Sequence, residues 1–261
     1  MKSIIETKDY DFLREDERLA DNIILLGYGG SYAYGTNIES SDIDIRGCAL
    51  NSKREILLGR GFEQIEDKRT DTVIYSLKKI VSLLTNCNPN VIEILGLKPE
   101  HYFIISKEGK ELLDNKQLFL SQRAVKSFGG YANQQLHRLL NGSSDERLAE
   151  VGMRNRKAIR HNKLAKHSMH LVRLMYMCLD IPEKGIIKTY RDEEHDLLMR
   201  LRNGEFLDES GKPTTDFFYL FGELQTRFEY AKKNTSLPKH PDMKKVDDLV
   251  IYLHSCVLFS K

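Results

Sequence analysis

The sequence has 261 residues, enough for one large domain or two smaller ones, and its 40 Lys and Arg nearly cancel its 38 Asp and Glu. Because of this balance, the overall charge does not indicate binding to nucleic acid or to a membrane surface. A local basic surface remains compatible with it. The four cysteines are widely spaced and form no CxxC pair, which argues against a zinc site. The charged N-terminus argues against secretion, and the absence of a membrane-length apolar run argues against a membrane span. Together these features indicate a cytoplasmic protein.

The first two predicted strands flank a glycine-rich segment. Residues 22–26 form a short apolar run that ends at a glycine, which is typical of a buried strand. Residues 41–50 alternate with period two, so that Asp42, Asp44 and Arg46 point to one face of a second strand.

A third strand passes directly into a helix. Asp71, Val73 and Tyr75 share one face of this predicted strand, and apolar residues then recur at helical spacing after a capping Ser76. Pro89 ends that helical region and begins another short one. Strands that alternate with helices up to about residue 110 predict a compact domain with a small mixed sheet.

After about residue 117 the pattern is helical almost throughout. The stretch "KLAKHSMHLVRLMYMCLD" has an apolar side and then becomes apolar nearly all round. Its polar side carries Lys163, Lys166, His167, His170 and Arg173. Further helices are predicted over residues 193–202, 217–232 and 243–258. The predicted fold is α+β, with a catalytic domain at 1–115 and an all-helical domain at 116–261 that completes the cleft for nucleotide and acceptor.

The segment between the first two strands has the residue types of a metal and phosphate site. Asp42 and Asp44 are two apart, so on a strand both carboxylates would face one divalent cation, and a set of oxygen ligands favours Mg²⁺ or Mn²⁺. The preceding Gly29-Gly30-Ser31 turn allows close approach of the backbone to phosphate oxygens. No GxxxxGK[ST] motif and no complete dinucleotide-binding glycine pattern accompanies it.

The stretch "GGSYAYGTNIESSDIDIRG" resembles the signature of the DNA polymerase beta nucleotidyltransferase superfamily, a glycine-serine pair followed by an aspartate-x-aspartate strand. The fuller form of the motif, GSxAYGT…SDxDxRG, is similar to the group of predicted nucleotidyltransferases called YcgL-like. The segments "DTVIYSLKKIVSLLTNCNPNVIEIL", "KHSMHLVRLMYM", "RLRNGEF" and "LPKHPDMKKVDDLV" agree with that group, so the resemblance covers most of the chain.

The resemblance implies transfer of a nucleoside monophosphate from an NTP, with pyrophosphate leaving and with two Mg²⁺ or Mn²⁺ ions bound. Asp42 and Asp44 fall on the metal-binding aspartates of the superfamily. The third carboxylate, which binds one ion and helps to deprotonate the acceptor hydroxyl, is assigned to Asp71, with Glu93 as the alternative.

Seven residues are expected to contact the nucleotide, with the phosphate-binding pair of the superfamily first among them: Gly30, Ser31, Tyr34, Ser41, Lys166, His170 and Arg173. Two assignments have structural alternatives. The rings of Tyr34 and of the nearby Tyr32 either stack on a base or pack beneath the glycine loop. Lys166, His170 and Arg173 either reach the triphosphate or form an ordinary exposed helix face.

The basic stretch "MRNRKAIRHNKLAKH" predicts an acceptor surface, for which Arg156, Arg160 and Lys163 are the candidates. The expected acceptor is an RNA end, tRNA-like in form, and a protein or a small molecule is the alternative. Three other readings stay open: a phosphohydrolase with the same metal site, a non-catalytic nucleotide-binding module, and an antitoxin-like partner protein.

Overall fold

The computed structural model describes residues 3–141 and 153–259, and for residues 138, 141 and 153–160 it describes the helical backbone only. The chain divides into two compact units. The first comprises Met1–Ser121, Ile186–Tyr190 and Pro238–Lys261, and the second comprises Gln122–Gly185 and Arg191–Leu237. The predicted division at residue 115 differs from these units, because two later segments pack with the N-terminal part of the chain.

The first unit contains a sheet and short helices, and the second is helical, which confirms the predicted α+β class. The strands are β1 Ile23–Tyr28, β2 Ile45–Ala49, β3 Gln64–Asp67, β4 Thr72–Ser76 and β5 Tyr102–Ile105. The helices of the first unit are α1 Phe12–Glu15, α2 Gly30–Tyr34, α3 Lys53–Leu58, α4 Leu77–Thr85, α5 Pro89–Ile92, α6 Lys107–Asp114 and α11 Met243–Leu258. Those of the second are α7 Arg123–Asn141, α8 Met153–Lys184, α9 His195–Arg202 and α10 Thr215–Asn234.

The five strands form one mixed sheet in the order β3-β4-β2-β1-β5. Only β2 and β4 run parallel, and their register pairs Ile45 with Thr72. Parallel strands that start in register bring the residues before them together at one edge of the sheet. Asp44 precedes β2 and Asp71 precedes β4, so the sheet itself places these two aspartates side by side.

The core of the first unit follows from its apolar strands. Along β1, residues 23–26 are all buried, and Ile45 of β2 and Ile74 of β4 are buried against them. The α4 helix buries an apolar face on the sheet side, and the hydroxyl of Ser76 caps it by accepting from the Lys79 amide at 3.2 Å. Periodicity and capping therefore predicted β1, β4 and α4 correctly.

The second unit is organised around α8, which packs against α7, α9 and α10. Residues 171–175 and 177–182 of this helix are buried, which confirms that its end is buried on nearly all sides, with Arg173 and Asp180 as charged residues among the buried ones. Within the unit the fully buried Arg191 forms an ion pair, in which its Nη1 donates to Asp180 Oδ2 at 2.6 Å. Among the described residues, no helix combines the length and the apolar character that crossing a bilayer requires.

Candidate active site

The two aspartates of the predicted metal pair lie on a loop rather than on a strand. The predicted strand over residues 41–50 is shorter in the structure and begins at Ile45, so Asp42 and Asp44 both precede it. The expectation that they share a strand face is therefore wrong. Asp42 is exposed, whereas the side chain of Asp44 is mostly buried, at 22% exposed.

Asp71 also differs from its predicted strand position. It lies one residue before β4 and has a φ of 45°, in the left-handed region that aspartate tolerates better than most residues. Its carbonyl accepts from the Ile45 amide at 3.2 Å, which ties this turn to the start of β2. Its side chain remains 58% exposed, so the carboxylate is open to solvent beside the buried Asp44.

Arg46 links these two aspartates. Its Nη1 donates to the carbonyl of Asp71 at 2.6 Å, and its Nη2 lies 3.4 Å from both Asp44 Oδ1 and Asp71 Oδ1. The sequence reasoning gave this arginine no role. Its position two residues after Asp44 was the available signal, because the alternation of a strand brings i and i+2 to one face.

Glu93, the alternative third carboxylate, lies in the same cluster. It begins a 3₁₀ turn, Glu93–Gly96, and is only 7% exposed. Its carbonyl accepts from the Thr189 hydroxyl at 2.7 Å, and its Oε1 lies 3.5 Å from where a Cβ on Gly29 would be. Asp71 and Glu93 therefore both adjoin Asp44, and the geometry keeps both as candidates.

Electrostatics confirm that these carboxylates act on one another. Burial, a hydrogen bond with Asp71, and the negative charges of Asp71 and Glu93 raise the pKa of Asp44 to about 6, against the opposing effect of Arg46. A cation would relieve this repulsion, and hard carboxylate oxygens suit Mg²⁺. The described residues contain no cage of three such side chains, but Mg²⁺ is commonly held by one or two carboxylates together with substrate phosphates. The donor set therefore fits the predicted ion.

The glycine loop closes against Asp44. The Gly29 amide donates to the Asp44 carbonyl at 2.8 Å, and Gly30 has a φ of 54°. A Cβ on Gly30 would lie 1.9 Å from Asp44 Oδ2, so only glycine fits at this position. The predicted turn is the start of α2 instead, with Gly30 and Ser31 as its first two residues. A partly exposed serine and the leading amides of α2 thus lie next to the carboxylate cluster.

Two further predicted nucleotide contacts have other local roles in this structure. Tyr34 is fully buried, so its ring packs beneath the loop and offers no face on which a base could stack. Ser41 closes a turn, because its hydroxyl accepts from the Ile38 amide at 2.9 Å while its own amide donates to the Ile38 carbonyl. The stacking role assigned to Tyr34 is therefore incompatible with its burial.

The predicted cationic residues belong to the second unit and are described within it. Lys166 is exposed and His170 is partly exposed, whereas Arg173 is buried, at 5% exposed, so the alternative of an ordinary exposed helix face does not hold for Arg173. Arg173 Nη2 lies 2.8 Å from His170 Nδ1. Of the acceptor candidates, Lys163 is partly buried. The side chains of Arg156 and Arg160 lie outside the described part of the chain.

Comparison with known proteins gives two matches. A family model described as RlaP, "RNA repair pathway DNA polymerase beta family", matches residues 4–252. The chain is also similar to an uncharacterized 38.9 kDa protein in the nrdC-mobD intergenic region of Enterobacteria phage T4, with 24% identity over 238 residues. That alignment covers 83% of this chain and 65% of the phage protein, so the chain spans less than two thirds of its relative.

Proposed function

Because this chain belongs to the RlaP family, the RNA repair pathway DNA polymerase beta family, we propose that it is a nucleotidyltransferase that transfers a nucleoside monophosphate from an NTP to an acceptor hydroxyl. Membership confirms the predicted superfamily. The observation that carries the proposal is the convergence of Asp44, Asp71 and Glu93 beside the loop of Gly29 and Gly30.

The reaction is an in-line displacement at the α-phosphorus. The acceptor oxygen forms a bond to this phosphorus, the bond to the bridging oxygen of the β-phosphate breaks, and pyrophosphate leaves. Asp71, the more exposed neighbour of Asp44, receives the acceptor proton, with Glu93 as the alternative base. Gly30 and Ser31 position the β- and γ-phosphates at the start of α2.

Asp42, Asp44 and Asp71 are the residues that would hold Mg²⁺ or Mn²⁺, in two sites by analogy with two-metal enzymes. When bound, the ions supply positive charge next to the attacking and leaving oxygens. Asp44 and Asp71 lie side by side, whereas Asp42 is exposed two residues before Asp44 and is proposed as a ligand from the sequence motif.

The proposed acceptor is an RNA end. The assignment of this family to an RNA repair pathway supports this choice, and so do the basic residues between Arg156 and Lys163. Lys166, which is exposed, is proposed to contact the triphosphate, so Lys166→Ala should raise KM for the NTP, whereas the guanidinium of the buried Arg173 contacts His170. We further propose that the protein works in the cytoplasm, which its four free cysteines support.

The test supplies each α-labelled NTP in turn with total RNA, tRNA, protein lysate or no acceptor, and measures release of pyrophosphate. We expect label in RNA. The Asp42→Asn and Asp44→Asn variants should lose this labelling by orders of magnitude. The control variant Asp21→Asn, which changes an exposed aspartate before β1, should keep it. Equal activity in a folded double variant of Asp42 and Asp44 would refute the site.

The destination of the label separates the alternatives. Label in protein alone, or labelling of RNA that Arg160→Glu and Lys163→Glu leave unchanged, would contradict an RNA acceptor bound by this basic stretch. Water as the sole productive acceptor would identify a phosphohydrolase. Binding of NTP without any turnover would favour a non-catalytic binding or antitoxin-like partner protein.

A further inference from the structure

Five aromatic side chains of the first unit form a continuous row beside the glycine loop. Each of them is partly exposed. We call them the aromatic row: Tyr32, Tyr28, Phe103, His101 and Tyr190. Tyr28 is the last residue of β1 and is followed directly by Gly29, and Tyr32 follows Ser31 in α2. The row therefore begins within the segment that the proposed function assigns to phosphate binding.

Contacts run from Tyr32 through Tyr28 and His101 to Tyr190, and Phe103 contacts Tyr28 from the side. Tyr28 and Tyr32 are stacked, with centroids 5.3 Å apart and planes 22° from parallel. The edge contacts of Tyr28 are with Phe103 at 4.7 Å and with His101 at 5.7 Å. His101 in turn meets Tyr190 at 5.4 Å. Burial lowers the pKa of His101, which favours the uncharged form of its ring.

The far end of the row carries a positive charge. Lys98 Nζ lies 3.6 Å from the centroid of the Tyr190 ring. The same ring covers Gly35 at the end of α2, where a Cβ would lie 2.5 Å from it. Tyr190 is therefore fixed against the helix that starts at the glycine loop, with an ammonium group on its face.

Aromatic clusters usually lie in a core, where their rings are fully buried, as Tyr34 is beneath this same loop. The aromatic row differs, because all five residues are partly exposed and a cation lies at its end. Partly exposed rings next to a positive charge are the chemistry that holds unpaired nucleotides, since the rings stack on bases and the cation pairs with phosphate.

We propose that the aromatic row is a binding site for an unpaired nucleobase, stacked on the row beside Tyr32, with Lys98 paired to a phosphate of the same nucleotide strand. This rests on the proposed function for its biological setting. The base belongs either to the end of a single-stranded RNA acceptor or to the incoming NTP. Such stacking tolerates any base, so it recognises an unpaired end rather than a sequence.

The sequence offers a direct probe, because the chain contains no tryptophan. A Tyr32→Trp variant places a single indole in the row, and a base stacked on it should quench its fluorescence. Tyr219→Trp is the matched control, since Tyr219 is 72% exposed on α10 and lies outside the row. Each variant is titrated with a short single-stranded RNA, with the same length of abasic strand, and with NTP, without divalent ions.

Quenching of Tyr32→Trp by RNA or by NTP, with no comparable change in Tyr219→Trp or with the abasic strand, supports the proposal. The ligand that quenches at the lower concentration identifies the source of the base. Equal quenching of both variants, equal quenching by the abasic strand, or no quenching by either nucleotide ligand overturns it. Because no turnover is involved, this result stands whether or not the chain transfers nucleotides.

Binding by two further variants separates stacking from a structural role. Tyr32→Leu should weaken RNA or NTP binding by about 5- to 150-fold, the range for loss of one stacked base, whereas Tyr32→Phe should retain it. Lys98→Ala should reduce the dependence of RNA binding on salt concentration. Equal loss in Tyr32→Leu and Tyr32→Phe, or unchanged affinity in Tyr32→Leu with its melting temperature intact, would contradict stacking.

Discussion

Replacing Asp44 with asparagine should make the metal-free protein more stable while it removes activity. The change keeps the size of the side chain but removes a negative charge that burial, Asp71 and Glu93 disfavour. An acid whose pKa is raised by folding binds its proton more tightly in the folded state. The folded state therefore loses stability as the pH rises from the ordinary value of 3.8 towards about 6, and the loss is complete above that pH.

The magnitude follows from the two pKa values. At about 1.4 kcal/mol for each tenfold change in proton affinity, the interval from 3.8 to about 6 corresponds to roughly 3 kcal/mol at neutral pH. This is an upper value for Asp44→Asn, because the contact of Asp44 Oδ1 with Arg46 Nη2 at 3.4 Å is weakened as well. Asparagine does not titrate, so the variant should lack this pH dependence.

Thermal unfolding in EDTA measures the effect. At pH 7.5 the Asp44→Asn variant should melt at a higher temperature than the parent chain, and the two should converge as the pH falls below about 4. Added Mg²⁺ should then stabilise the parent chain more than the variant, since a ligand stabilises the state that binds it. A variant that melts at a lower temperature than the parent at pH 7.5 in EDTA would refute the electrostatic reasoning.

Two further predictions concern the same cluster. Gly30→Ala should abolish pyrophosphate release, because its Cβ would lie 1.9 Å from Asp44 Oδ2, whereas Gly59→Ala meets open space at a similar positive φ. Both changes should lower stability by about 1 kcal/mol through backbone strain, so equal activity of the two variants would contradict the steric argument. Asp71→Asn should lower kcat by about 10²- to 10⁴-fold if it is the catalytic base, and Glu93→Gln by less. A larger loss in Glu93→Gln, measured as single-turnover pyrophosphate release, would transfer the role to Glu93.

Short sequence patterns correctly predicted the helices whose ends are set by interactions between neighbouring residues. Ser76 before an apolar helical repeat specified the start of α4, and Asn88-Pro89 specified α5, because caps and an N-terminal proline act within a few residues. The glycine-serine and aspartate motifs identified the loop that carries Asp44. These signals located the candidate site in the sequence.

The geometry of the site depends on pairings between distant segments. Asp71 adopts a left-handed conformation where its carbonyl accepts from Ile45, and this contact exists only because β2 and β4 run parallel. Glu93 is held by Thr189, which lies 96 residues further along the chain. The alternation pattern predicted that Asp42 and Asp44 share one face of a strand, but β2 begins after both residues. No local pattern could show that Asp71 and Glu93 both adjoin Asp44.

The return of α11 to the first unit has a consequence for the order in which the protein folds during synthesis. This helix packs against α3 and α6, which leave the ribosome more than a hundred residues before it. At typical elongation rates of about 5–20 residues per second, α11 is synthesised on the order of ten seconds after the sheet and its carboxylate cluster. Over that interval the surfaces of α3 and α6 that α11 contacts are uncovered, so a nascent chain stalled before residue 243 should bind chaperones more than one that already contains α11.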